Sequence, residues 1–369
     1  MNKKLISALI AITLSLPTTA FAAGLQNRTD SKPSVAILDT AIDTSLPAFQ
    51  GKIIQEVCIL EWTTCPNGKS FMEGPGAASM PANLITLNGF DHGTFMTSVF
   101  VKTNPDVNIV FIKIIGNTAT GLRQNAGEAS VYNALNWVKT NAAKYNIQAV
   151  TMSQGMHNLG PAGTDYCPKT PTTQQSVKDL IAIGIPTFFP SGNGRDYVRI
   201  DWPACLDESV SVGYVDNINE ISISSNNDNA KLDFFAPGFF TVSGPGNLSK
   251  NISGSSAAIQ FAGAQWIRLK SAKPDYSYDQ LLTALRSTAS STIGRQGTFK
   301  KLININQAIS YTLPTSAPTA EQLAAAKAAL QADINAQIAK AQAEYDAAVK
   351  AAADKLASIK ATQLARLNG

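Results

Sequence analysis

The chain has 369 residues, 44% hydrophobic and 15% charged, with a formal net charge of +4. This composition supports one large core with an appendage and excludes a disordered, self-repelling chain. The basic residues are spread rather than gathered into a run, so nothing argues for a nucleic-acid partner.

At the start, Lys3 and Lys4 precede an apolar stretch from Leu5 to Leu16, and Ala20-Phe21-Ala22 supplies a small-x-small cleavage pattern. Together they predict an export signal over 1–22, cleaved after Ala22. The apolar stretch is too short to serve comfortably as a membrane anchor. No later segment carries a long uncharged apolar run, so the expectation is an exported, soluble mature chain, periplasmic or extracellular. The cysteines are Cys58, Cys65, Cys167 and Cys205, and four cysteines allow three pairings. An oxidising compartment favours disulfides. We expect Cys58–Cys65 as a local loop and Cys167–Cys205 as a longer staple. Zinc is disfavoured because no C-x-x-C pair occurs and the only histidines are His92 and His157.

Next come alternating strand and helix patterns. Ser34-Val-Ala-Ile-Leu-Asp39 reads as a buried strand closed by a carboxylate, and Asn108 to Ile115 as a second strand. Val131, Leu135 and Val138 recur at helical spacing, which predicts a helix over about 126–145. Strand-like Gln148 to Ser153, a helix over about 173–183, and strands at 186–189 and 209–215 follow. This alternation predicts an α/β architecture, a mostly parallel sheet with helices on both faces. Active residues in such folds sit at the carboxyl ends of strands. Asp39, Ser153 and Asn193 all lie just past apolar runs. Trp137 and Trp266 read as helix-face packing.

The composition changes at Tyr311-Thr-Leu-Pro-Thr-Ser-Ala-Pro318, a linker by its prolines and small polar residues. The expected organisation is a body over 23–312, a linker over 313–319 and an alanine-rich helical tail over 320–369. In that tail Tyr345, Val349, Ala352, Leu356 and Ile359 form a thin amphipathic stripe at alternating four- and three-residue steps. Two readings stay open: a helix folded back or exposed, and a helix that associates with itself or with a protein partner.

The chemistry-bearing segments are four. Asp39 closes a strand. Asp91-His92-Gly93-Thr94 puts one of the two histidines at the start of a helical stretch. Gly254-Ser255-Ser256-Ala257-Ala258 puts a serine in a small-residue turn before an apolar helix. Phe189-Pro-Ser-Gly192-Asn193-Gly194 puts an amide between glycines after a strand. Serine needs an imidazole to take its proton, and the imidazole needs a carboxylate to fix its tautomer. The developing oxyanion needs donors. Each segment alone is an ordinary turn or cap; their joint occurrence in this order points to acyl transfer.

Over about 34–309 these segments resemble the subtilisin family (subtilases). Ile37-Leu-Asp39-Thr-Ala-Ile-Asp43 is similar to the family's D-T/S-G segment, His92-Gly-Thr94 to its H-G-T-H segment, and Gly254-Ser-Ser256-Ala-Ala258 to its G-T-S-M-A segment. Gly192-Asn193 is similar to its G-N element. The resemblance implies a subtilisin-like three-layer fold and a serine endopeptidase acting on polypeptides. Asp39 would orient, His92 would be the base, Ser256 the nucleophile and Asn193 the oxyanion-hole side chain. Thr151-Met-Ser153-Gln154-Gly155 resembles the strand that binds the substrate backbone. No cofactor is required. Calcium is frequent in the family, and Asp43 resembles one ligand position, but one carboxylate is not a site, so no metal site is assigned.

Some positions depart from the family pattern: Ala41 after Asp39-Thr, Phe95 for the second histidine, Ala257 for methionine, and Ile259 and Gln260, the latter where proline is usual. None removes a proton-transfer group or an oxyanion donor. Only about ten residues separate the expected cleavage point from the first strand, so folding is expected without an inhibitory pro-domain or with help from a separate chain. His157 is expected to be a surface or specificity residue near the cleft. The rival reading is a weakly active or inactive subtilase-like binding protein working through its tail. A lipase-like esterase is disfavoured by the triad order and the lack of a G-x-S-x-G elbow.

Overall fold

The computed structural model describes residues 32–367, apart from 88, 118–122, 125, 158, 164–165, 218, 295–298 and 315–319. The chain divides into Met1–Lys32 and Pro33–Gly369. The expected export signal, and residues 315–319 of the expected linker, lie outside the described residues.

In chain order the unit from Pro33 holds β1 (Ser34–Asp39), β2 (Ile53–Ile59), β3 (Phe71–Glu73), α1 (Ala82–Leu87), α2 (His92–Thr103), β4 (Asn108–Lys113) and α3 (Glu128–Tyr145). It continues with β5 (Ile147–Met152), α4 (Pro171–Ala182), β6 (Thr187–Pro190), β7 (Val210–Val215), β8 (Phe234–Pro237), β9 (Phe239–Ser243) and β10 (Ser249–Ser253). It ends with α5 (Ser255–Ala272), α6 (Tyr278–Thr288), β11 (Ser290–Ile293), β12 (Phe299–Leu302), α7 (Ile305–Ser310) and α8 (Ala320–Leu367). The strands and helices read from the sequence are all present, with ends displaced by one or two residues because terminal turns and ladders fray.

Ten strands form one sheet in the order β11-β12-β8-β7-β6-β5-β1-β4-β2-β3, and β9 and β10 form a separate hairpin. Pairings from β2 through β8 are parallel, while β3 and β11 close the edges antiparallel. β1 lies between β4 and β5, where the order of connection reverses. Such a switch point opens a crevice at the carboxyl ends of its strands.

Strand periodicity divides the core into two layers. Ala36, Leu38, Val110, Ile112, Val150 and Met152 pack on one face with Val131, Leu135 and Val138 of α3 and Val177 and Leu180 of α4. Val35, Ile37, Ile109, Phe111 and Ala149 pack on the other with Phe100 of α2, Trp266 and Ile267 of α5 and Leu281 of α6. Each large aliphatic side chain so buried contributes about 1.5–3 kcal/mol. The alternation also decides the site, because Asp39 shares parity with Val35 and Ile37. Its side chain is thereby directed to the face that carries α2 and α5.

Cys58 is bonded to Cys65 and Cys167 to Cys205, with Cα separations of 5.9 and 5.7 Å. α8 runs 48 residues, roughly 70 Å at 1.5 Å per residue. Ile338, Tyr345, Val349, Leu356 and Ile359 on it are all exposed. No helix among the described residues is long and apolar enough to cross a membrane.

Candidate active site

Asp39 is the last residue of β1 and is fully buried. His92 is the first residue of α2. Its Nδ1 lies 2.8 and 3.0 Å from the two carboxylate oxygens of Asp39. The Thr40 N–H donates to Asp39 Oδ1 at 2.7 Å. Burial pushes the Asp39 carboxyl upward. The charge and hydrogen bond of His92, the nearby Arg123 and the Thr40 N–H outweigh that push, and the group is held below the ordinary aspartate value. An ionised carboxylate on Nδ1 leaves Nε2 as the imidazole nitrogen free to exchange a proton.

Ser256 is the second residue of α5, after Gly254. Gly254 has φ +146, a conformation that favours glycine, and a side chain there would crowd the Asn193 amide. In the first turn of α5 the Ala257 and Ala258 N–H groups donate to the Gly254 carbonyl at 3.1 and 3.2 Å, and the Ser256 N–H, with no recorded bond among the described residues, stands at the positive end of the helix dipole. Asn193 Oδ1 accepts from the Ser255 N–H and from Ser255 Oγ, both at 3.0 Å. These bonds fix the carbonyl end of the Asn193 amide against the start of α5.

Ser153, Gln154 and Gly155 follow directly on β5 and join the two halves. Gln154 Nε2 donates to Asp39 Oδ1 at 3.2 Å and lies 3.2 Å from His92 Nδ1. The preceding residue exchanges hydrogen bonds with the serine: Ser153 Oγ donates to the Ser256 carbonyl at 3.1 Å, and Ser256 Oγ donates to the Ser153 carbonyl at 3.2 Å. Asp39, His92, Gln154, Ser153 and Ser256 are therefore linked by consecutive contacts, and Asn193 meets the neighbouring Ser255. The recorded bond of the Ser256 hydroxyl goes to Ser153, not to His92.

The positions that depart from the family pattern are accommodated. Gln260 is fully buried. It accepts from Thr151 Oγ1 at 2.9 Å and donates to Ser153 Oγ at 2.9 Å, so it ties α5 to β5 beneath the serine. Phe95 and Ala257, one larger and one smaller than the family's usual residues, share one cluster with Met96, Val99 and Val242. Ile259 and Ala41 are buried in the core. Asp43 accepts from the Ser45 N–H, Ser45 Oγ and the Gly246 N–H, so its oxygens serve protein donors. Among the described residues no group of three or more His, Cys, Asp or Glu side chains is placed to hold a metal.

Two contacts escaped the sequence. Arg123 NH2 donates to Gln154 Oε1 at 2.5 Å, which brings a cation into the crevice from a distant loop. His157 is paired through Nδ1 with Asp201 at 2.6 Å. No motif marks either. A buried-phase glutamine on the apolar α5 was the one available hint of the Gln260 network.

Comparison with known proteins places the sequence and the fold. The sequence model of the subtilase family matches residues 30–322. The chain is 24% identical over 252 residues to the major intracellular serine protease of Bacillus subtilis, covering 64% of this chain and 68% of that protein. It is 26% identical over 227 residues to subtilisin Savinase of Lederbergia lenta, covering 58% and 76%. Among solved structures, the prenylagaramide maturation protease PagA superposes with TM-score 0.57 at 18% identity, over 80% of this chain and 98% of that one. A cold-adapted subtilisin-like serine proteinase superposes with TM-score 0.56 at 20% identity, over 74% and 88%. At these identities the structures speak for the fold.

Proposed function

This chain belongs to the subtilase family, and on that premise we propose that it is an exported serine endopeptidase built on Asp39, His92 and Ser256. The family is one of serine proteases acting on polypeptides, and its catalysis needs no cofactor. Ser256 Oγ attacks the carbonyl carbon of a peptide bond while His92 Nε2 accepts its proton. The carbonyl oxygen becomes an oxyanion facing the Asn193 NH₂ and the Ser256 N–H. Collapse expels the amine, which takes the proton from His92. Water, activated by the same imidazole, then hydrolyses the acyl ester. Asp39 keeps the Nδ1–H oriented and stabilises the imidazolium.

The observation that carries this reading is the 2.8 Å contact of His92 Nδ1 with the buried Asp39 carboxylate, joined through Gln154 and Ser153 to Ser256. The Ser256 hydroxyl rests on the Ser153 carbonyl. A serine hydroxyl turns about a single bond, and catalytic hydrogen bonds often form only with substrate in place. Export rests on the charged start, apolar stretch and Ala20-Phe21-Ala22, and both disulfides suit an oxidising compartment. The peptidase body over 23–312, the linker over 313–319 and the tail over 320–369 are part of the same proposal. The exposed stripe on α8 supports association through the tail.

The test is labelling by a fluorophosphonate together with hydrolysis of unfolded casein. Wild type is expected to be labelled on Ser256 and to cleave casein, and Ser256→Ala to do neither. Equal labelling of both proteins refutes the assignment.

A further inference from the structure

We propose that Asp201 selects lysine or arginine on the acyl side of the scissile bond, an inference that rests on the protease reading and narrows its substrate class. The argument begins with the backbone. The Asp201 N–H donates to the Ser191 carbonyl at 2.8 Å, and Trp202 exchanges both main-chain bonds with Met156 at 2.9 and 3.1 Å. Asp201 is thus pinned between the segment leading to Asn193 and the segment leaving Ser153-Gln154-Gly155. Those are the two walls of the crevice in which the peptide carbonyl must sit.

The side chain fills the notch between these walls. A Cβ on Gly192 would lie 2.3 Å from Asp201 Oδ2, and a Cβ on Gly155 would lie 3.3 Å from Asp201 Cβ. Glycine on both sides lets the carboxylate approach the crevice closely. Gly192 itself donates its N–H to Ser255 Oγ at 3.2 Å, next to the serine. A substrate side chain on the α-carbon beside the attacked carbonyl would then meet the Asp201 carboxyl at the mouth of this notch.

The notch is lined by acidic and polar groups. Asp201 Oδ1 accepts from Asn226 Nδ2 at 2.9 Å and meets His157 Nδ1 at 2.6 Å, with Asn226 Nδ2 also 3.4 Å from His157 Nδ1. Among the described residues Oδ2 has no recorded hydrogen bond. Asp196 is matched by Arg199 at 2.6 Å, and His157 Nε2 lies 3.8 Å from Asp196. Among the described residues, Asp201 is the one carboxylate of the group that meets no lysine or arginine. Its side chain is only 13% exposed while that of His157 is 45% exposed, so a mostly buried carboxyl lies behind a more solvated imidazole. Burial raises the Asp201 carboxyl above its ordinary value, which is the cost an incoming cation relieves. One oxygen is already engaged, so a bidentate guanidinium fork gains little over an ammonium point charge. Lysine and arginine are therefore expected to be accepted alike.

The experiment compares kcat/KM for peptides that differ only on the acyl side of the cleaved bond: Lys, Arg, Leu, Phe or Glu. Wild type is expected to favour Lys and Arg over Leu by about 10- to 100-fold, the worth of a charge-assisted contact, and Asp201→Asn to lower the Lys/Leu ratio at least tenfold. A second measurement needs no variant: a peptide aldehyde ending in argininal should inhibit wild type more strongly than one ending in phenylalaninal. A flat or inverted preference in a wild-type protein that still reacts with fluorophosphonate overturns this inference alone. A Lys/Leu ratio unchanged in Asp201→Asn does the same. Absence of both labelling and hydrolysis overturns the protease reading and this inference with it.

Discussion

The molecule holds two histidines, and each meets an aspartate through Nδ1, at 2.8 Å for His92–Asp39 and 2.6 Å for His157–Asp201. The pairs look alike as contacts and differ in everything around them. Asp39 is wholly buried at a strand end, receives a backbone N–H and is held low. Burial raises the Asp201 carboxyl above its ordinary value, and its histidine side chain is 45% exposed. His92 is only 24% exposed by its side chain and starts the helix facing the serine crevice. A His–Asp contact therefore carries no role by itself; the two pairs differ in the depth of the carboxylate and in the groups that hold it.

The comparison can be broken most sharply by removing each imidazole. His92→Ala, like Ser256→Ala, is expected to lower kcat by about 10⁶-fold, whereas His157→Ala is expected to change it by less than about tenfold. Equal losses would erase the distinction between the pairs. Next in size is Asn193→Ala, expected to cost about 10²–10³-fold in kcat with little change in KM, as for an oxyanion donor. Steady-state kinetics on one peptide substrate reads all of these.

The two carboxylates also predict opposite pH behaviour. Asp39 has a folded pKa below its unfolded value, so it contributes stability above the unfolded value that is lost as pH falls through the folded one. Asp201 has a raised folded pKa, so its contribution is present below the unfolded value and lost as pH rises through the folded one. Thermal melts at pH 7 should show Asp39→Asn destabilised by about 1–3 kcal/mol, and Asp201→Asn unchanged or higher in Tm. The difference should shrink near pH 3. Smallest of all, deleting the chain from Ala320 should leave peptide hydrolysis intact and shift Tm by less than about 2 °C. That helix touches neither pair, and a collapse of activity in a folded truncation would make it part of the catalytic unit.

Much of this was legible in the sequence. The apolar runs of β1, β4 and β5 are continuous because they are buried on both faces. Asp39, His92, Asn193 and Ser256 stand in short local motifs, and each cysteine pair has one favoured partner. Long-range polar contacts were not legible. Arg123 reaches Gln154 across 31 positions, and Asp201 meets His157 and Asn226 across 44 and 25. Their significance comes from the crossing of strands, and no periodicity encodes it. Gln260 broke the apolar phase of its helix and was read only as a departure, because its partners Thr151 and Ser153 lie on another element. Asp43 drew attention as a cation ligand by analogy, yet its oxygens are committed to Ser45 and Gly246.

The Cys167–Cys205 bridge has a consequence for where such a protein could work. Cys205 donates its N–H to the Asp201 carbonyl at 3.0 Å, so the covalent link anchors the segment proposed to select substrate, while the Asp39–His92 pair is held by noncovalent contacts alone. A thiol reductant would thus slacken discrimination before it halted turnover. In a glutathione-rich compartment the enzyme would grow less choosy rather than simply fall silent.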